Sequence, residues 1–152
     1  MNRVKITSGI ILAATAVLLP TPSPAHEGAT GVVKERMDTM TQAGKAMKDA
    51  GERIRAGHDL SAIKQDAQTI ATVAAGTARQ FPAGSDQHPT DAKPEIWTHW
   101  DDFAARAQAL EQESALLETV AGTGNADTIG RQLHIVGRIC ADCHDLYRVK
   151  RQ

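Results

Sequence analysis

The stretch IGRQLHIVGRICADCHDLY, residues 129–147, carries its inward-type side chains at Ile129, Leu133, Val136, Cys140, Cys143 and Tyr147. Steps of four and three keep one stripe of an α-helix turned toward its neighbours. Both cysteines lie on that stripe, so whatever chemistry they perform points into the protein. Asn125 is placed to cap this terminal helix, and Gly122 and Gly124 end the element before it.

The same spacing continues toward the N-terminus. Ile96, Trp100, Phe103, Ala107, Leu110 and Leu117 form the inner face of a helix opened by Pro94, whose missing N–H is harmless in a first turn, with Glu95 at the positive dipole end. From Pro82 to Pro94 no apolar residue recurs periodically, and Gly84, Ser85, Asp86, Pro89 and Asp91 mark a long connection. Before it, Asp59 is expected to cap a helix with Leu60, Ile63, Ala67, Ile70, Ala74 and Thr77 inside. Val33, Met37, Met40, Gly44, Met47, Gly51 and Ile54 form the seam of the first helix, stopped by Gly57. No strand-type alternation follows residue 25. The fold class expected is all-α, an antiparallel four-helix bundle with two short turns flanking one longer crossover.

Residues 1–25 read as a secretory signal peptide. Arg3 and Lys5 precede an apolar run from Ile10 to Leu19, and Ser23 and Ala25 supply the small residues of a cleavage site after Ala25. The run is far shorter than the roughly 20 residues a bilayer-spanning helix needs, so no membrane span is expected after processing, and residues 26–152 are expected to form one secreted domain. The 17 basic and 18 acidic residues give a net charge of −1, and the leader removes two basic residues and no acidic one. That balance gives no basic surface for nucleic acid. Aromatic residues are only 3% of the chain, so the core must be filled by small and aliphatic side chains or by something the sequence does not encode.

Cys140-Ala141-Asp142-Cys143-His144 is the only place where two cysteines meet, and they are too close together to staple distant segments. The C-x-x-C-H pattern is that of c-type haem attachment, in which each thiol adds to a vinyl group and the histidine ligates iron. A thiol redox motif is the competing reading, but such motifs open a helix beside a sheet, and no sheet is expected. A structural zinc site needs a second ligand pair, which the sequence lacks. One covalent haem c is therefore the cofactor expected, with Cys140 and Cys143 as thioether anchors and His144 as the proximal axial ligand.

With this pentapeptide on the last of four helices, the chain resembles the cytochrome c′ family, the class II c-type cytochromes of bacterial periplasms. Pro94-Glu95-Ile96-Trp97 is similar to the opening of the family's third helix, and Tyr147-Arg148 follows the histidine as it often does there. Arg36-Met37-Asp38-Thr39-Met40 resembles the family pattern in which an arginine precedes by four the residue facing the open side of the haem. The resemblance makes Met40 the expected distal ligand. Met37 and Met47 share its seam, and methionine is also a common gap-filler, so periodicity alone does not choose among the three. Met40 and Met47 lie on the order of 10 Å apart, so at most one reaches the iron. The resemblance also implies that Arg36 lies near the haem propionates and Arg148 near His144; either could instead be a solvated charge. His99 and His134, beside the seams, are the candidates for a second axial nitrogen in place of Met40.

A thioether ligand stabilises ferrous iron and keeps it six-coordinate. The sequence therefore reads first as a one-electron carrier with His144/Met40 ligation, turning over no substrate and meeting redox partner proteins transiently. The alternative is a five-coordinate haem whose open side binds nitric oxide or carbon monoxide. The resemblance also implies a possible homodimer through the first two helices.

Overall fold

The computed structural model describes residues 28–87 and 89–150; the signal-peptide reading of residues 1–25 lies outside them. Its elements are α1 (Gly31–Ala56), α2 (Ile63–Thr77), α3 (Glu95–Thr98), α4 (Trp100–Ala121) and α5 (Ala126–Tyr147). The four long helices form an antiparallel four-helix bundle in which α1 packs on α2, α2 on α4, α4 on α5 and α5 back on α1. Among the described residues there is no strand, and the one backbone bridge joins Ala92 to Arg148.

Ile63, Ala67 and Ile70 of α2, Leu117 and Ala121 of α4, and Ile129 and Val136 of α5 are essentially inaccessible and make the central core, joined by Ala46 and Ala50 of α1. Each fully buried Ile or Leu contributes about 1.5–3 kcal/mol. The inner line of α1 is Arg36, Ala43, Ala46 and Ala50, rotated from the expected methionine seam. Alanines let the backbones of the core helices come close, and Met37, Met40 and Met47 sit half-buried on the flank.

Helix ends follow local chemistry. Gly57 adopts φ 67 and its N–H closes α1 on the carbonyls of Arg53 and Ile54. Asn125 caps α5, its side-chain oxygen accepting from Thr128 N at 3.0 Å. Asp59 does not cap α2 as expected. It takes the left-handed conformation (φ 54) ahead of a 3₁₀ turn over Leu60–Ala62, and its carboxylate accepts from Arg53 Nε at 3.5 Å. The expected third helix is likewise broken: His99, at φ −123 and ψ 46, separates the single turn α3 from α4. That break turns Trp100 outward, 38% exposed, instead of into the core.

A second cluster lies at the end of the bundle where α5 finishes, built on Phe81, Ile96, Phe103 and Tyr147. Every Phe, Tyr and Trp of the chain joins it through ring contacts, from Trp97–Phe81 (6.2 Å) and Phe81–Phe103 (4.9 Å) to Phe103–Tyr147 (5.4 Å) and Phe103–Trp100 (5.7 Å). The few aromatics are thus gathered at one end.

The core assignment predicts unequal costs for two substitutions. Leu117→Ala should lower stability by about 2–5 kcal/mol, and Asn125→Ala by about 1 kcal/mol, both read as a fall in the urea midpoint at unchanged slope. If the cap costs more than the core leucine, the packing described here is wrong.

Candidate functional site

The last turns of α5 carry Cys140, Cys143, His144 and Tyr147, and this end of the helix faces a cavity of about 330 Å³ between α1 and α5. Cys143, His144 and Tyr147 line it from α5, with Arg148 just past the helix end; Arg36, Met37, Met40 and Gly44 line it from α1. Phe81, Ile96 and Phe103 close the apolar side. Cys140 is half-buried one turn back and is not part of the wall. A larger polar groove of about 660 Å³ runs between α1 and α2, past Gln42, Gln65 and Thr72, and holds none of the expected site residues.

Register decides which methionine faces the histidine. Away from the cavity α1 and α5 touch through glycines. A Cβ on Gly137 would stand 3.4 Å from Met47 Cε, one on Gly51 4.0 Å from Leu133 Cδ2, and one on Gly130 3.9 Å from Ile54 Cγ2. Each pair moves back along α1 as it moves forward along α5, so the helices are antiparallel in a constant register. Two turns beyond the Met47–Gly137 contact, that register brings Met40 level with His144. Met37 lies a further turn along, level with Tyr147. Met47 is spent on the central core.

Arg36 is not a solvated charge. It is 3% exposed, its Nη1 donates to Ser85 Oγ (3.0 Å) and the Gln80 carbonyl (3.5 Å), and its Nη2 donates to the Ser85 carbonyl (2.7 Å) and Thr90 Oγ1 (2.6 Å). Its guanidinium also stands over the Phe81 ring, 4.6 Å from the centroid. Burial lowers its pKa, partly opposed by the Asp86 charge. Arg148 is exposed, with Nη2 3.6 Å from Asp91 Oδ2, and sits in the wall beside His144. His99 and His134 are exposed and outside the wall.

The donor chemistry suits covalent attachment of a flat macrocycle. Both cysteines are free thiols, and burial raises both pKa values, that of Cys143 to about 11, so they are neutral at physiological pH. Desolvation, with the Arg148 charge, lowers the pKa of His144, which keeps a nitrogen lone pair for a metal. An added Cβ on Gly44 would meet nothing within 4 Å, so the α1 side of the wall leaves room for a planar group. Among the described residues no three His, Cys, Asp or Glu gather to hold a bare ion.

Tyr147 was legible in the sequence as the last seam position, but its partners were not. Its hydroxyl donates to Asp102 Oδ2 at 2.6 Å, and Arg106 Nε donates to the same oxygen at 2.6 Å. These bonds hold the Asp102 pKa down and fix the end of α5 to α4. Thr90, Asp91 and Ala92, also in the wall, come from a connection without periodicity, and no sequence signal marks them.

A family model described as Cytochrome C' matches residues 31–148. Cytochrome c-556 of Agrobacterium fabrum (strain C58 / ATCC 33970) is 33% identical over 126 residues, which cover 81% of this chain and 84% of that protein. Among solved structures, cytochrome c' from Thermochromatium tepidum matches with a TM-score of 0.74 at 22% identity, over 78% of this chain and 95% of its own. A nitric oxide complex of a cytochrome c prime variant from Alcaligenes xylosoxidans matches with a TM-score of 0.70 at 27% identity, over 78% of this chain and 94% of its own.

The buried thiol makes a pH prediction for the chain produced without haem. Alkylation of Cys143 by iodoacetamide should rise with pH about a midpoint near 11 in the folded chain, against an ordinary thiol value of 9.0. Because the folded state holds this proton more tightly, stability should fall as pH climbs from 9.0 toward 11. A folded-state alkylation midpoint near 9.0 would contradict the burial of Cys143.

Proposed function

The chain belongs to the cytochrome c′ family, and we propose that it is a periplasmic c-type haem protein that binds a diatomic ligand such as nitric oxide or carbon monoxide on the α1 side of its haem. The cofactor is one covalent haem c. Cys140 and Cys143 are the proposed thioether anchors and His144 the proximal ligand, since all three fall within two turns of α5 at the cavity end. When bound, the haem supplies an iron centre able to exchange one electron or to take up a diatomic ligand.

The observation that carries this reading is the apolar cavity shared by His144 and α1, with open space beside Gly44. The nitric oxide complex of the related cytochrome c prime supports it as well, and speaks more for a ligand-binding haem than for a carrier. The protein's own residues orient and exclude. Tyr147 and Asp102 fix the end of α5, the Phe81 and Phe103 rings keep water from the apolar side, and Arg36 holds the wall together from α1. Periplasmic placement rests on the leader reading; among the described residues no helix is long and apolar enough to cross a membrane.

One observation favours the second reading, an electron carrier with His144/Met40 ligation: the α1–α5 register puts Met40 level with His144. A thioether there would close the site and favour ferrous iron. That reading requires redox partner proteins; the first does not.

Absorption spectra of the oxidised and reduced protein, before and after carbon monoxide, separate the two. Ligand binding predicts broad high-spin bands that carbon monoxide shifts readily. Sharp low-spin bands that it barely alters would reject that reading in favour of the carrier; Met40→Ala should then convert the sharp spectrum into the broad one, and Met37→Ala should not.

A further inference from the structure

α1 and α5 are the least closely packed neighbours in the bundle. Their glycine contacts at Gly51, Gly130 and Gly137 close one end, while the Met40–His144 end borders the cavity. Direct packing therefore leaves the helix separation at the site loosely determined. What spans that end is the four-residue stretch Thr90–Lys93. From α1, Arg36 Nη2 donates to Thr90 Oγ1 at 2.6 Å, and the same oxygen accepts from Ala92 N at 3.1 Å. Toward α5, Lys93 N donates to the Tyr147 carbonyl at 3.0 Å, and Val149 N donates to the Asp91 carbonyl at 2.8 Å. Lys93 Nζ reaches the Asp145 carbonyl at 3.0 Å, and Arg148 faces Asp91.

We infer that Thr90–Lys93 is a strap across the open end of the α1–α5 pair, and that Arg36 and Thr90 are positioning residues that set how far the Met40 turn stands from His144. Arg36 is four residues before Met40, one turn along the same helix, and Tyr147 is three after His144, so each anchor sits within one turn of the group it positions. A charge-assisted bond is among the stronger ties available, and Arg36 makes it to the half-buried Thr90 from a buried site already held by Ser85. Loosening the strap lets α1 swing away from α5 about the glycine contacts and widens the approach to the site. The consequence for ligand entry rests on the functional reading above; the mechanical tie does not.

The test compares Thr90→Val, which keeps shape and removes the hydroxyl, with Thr90→Ser, which restores it, in the haem-loaded protein. Losing the bond should raise hydrogen–deuterium exchange of the Lys93 and Val149 amides about tenfold. Those amides bond on the α5 side, so the rise would report transmission along the strap. Carbon monoxide association with the reduced protein should speed up in parallel, and Thr90→Ser should match the unaltered protein in both. Unchanged exchange in Thr90→Val would overturn the strap, and faster exchange with unchanged carbon monoxide association would overturn the positioning role. Should the protein show no haem bands, the functional reading fails, and exchange at Val149 alone decides for or against the strap.

Discussion

One constraint governs this molecule: two antiparallel helices, α1 and α5, are locked in register by glycine contacts at one end and border a cavity at the other. Gly137 lies beside Met47, Gly51 beside Leu133 and Gly130 beside Ile54, a single register that sets which residues come level two turns away. Those residues are Met40 and His144.

The rest of the bundle serves that geometry. The central core of α2, α4 and α5 contains no aromatic residue, whereas all of the chain's aromatics form the cluster beside the cavity. Edge-to-face contact of Phe103 with Tyr147, and the Tyr147–Asp102–Arg106 bonds, stiffen the last turn of α5 just past the histidine. On the opposite wall a buried arginine, costly to desolvate, makes three hydrogen bonds to the Pro82–Pro94 connection, at Ser85 and Thr90, and a fourth to the Gln80 carbonyl just before it. These bonds hold the connection against α1, and the one to Thr90 lies in the cavity wall.

Much of this was legible in the sequence. Periodicities ending at Gly57 and Gly122 and the Asn125 cap gave four helices, and the seam of α5 placed Cys143 and Tyr147 inward. Asp59 and Trp100 depart from their local pattern for one reason: the backbone there adopts a left-handed residue and a helix break that hydrophobic spacing does not encode. The most deeply buried line of α1 is alanine, whose small side chain carries a weak apolar signal, while the methionine seam faces α5 and the cavity. Met40 stood apart from Met47 in the sequence only by its resemblance to the family pattern after Arg36; the inter-helix register adds that Met40 is the one level with His144. The contribution of Thr90–Ala92 to the wall arises from long-range hydrogen bonds, to which hydrophobic periodicity is blind.

The account stands on attachment at the end of α5. Mass spectrometry of the peptide spanning Cys140–His144, from protein matured in a host with cytochrome-assembly machinery, tests it most directly. The account predicts that peptide carrying the mass of one haem with both thiols consumed; a peptide bearing two unmodified cysteines would contradict it.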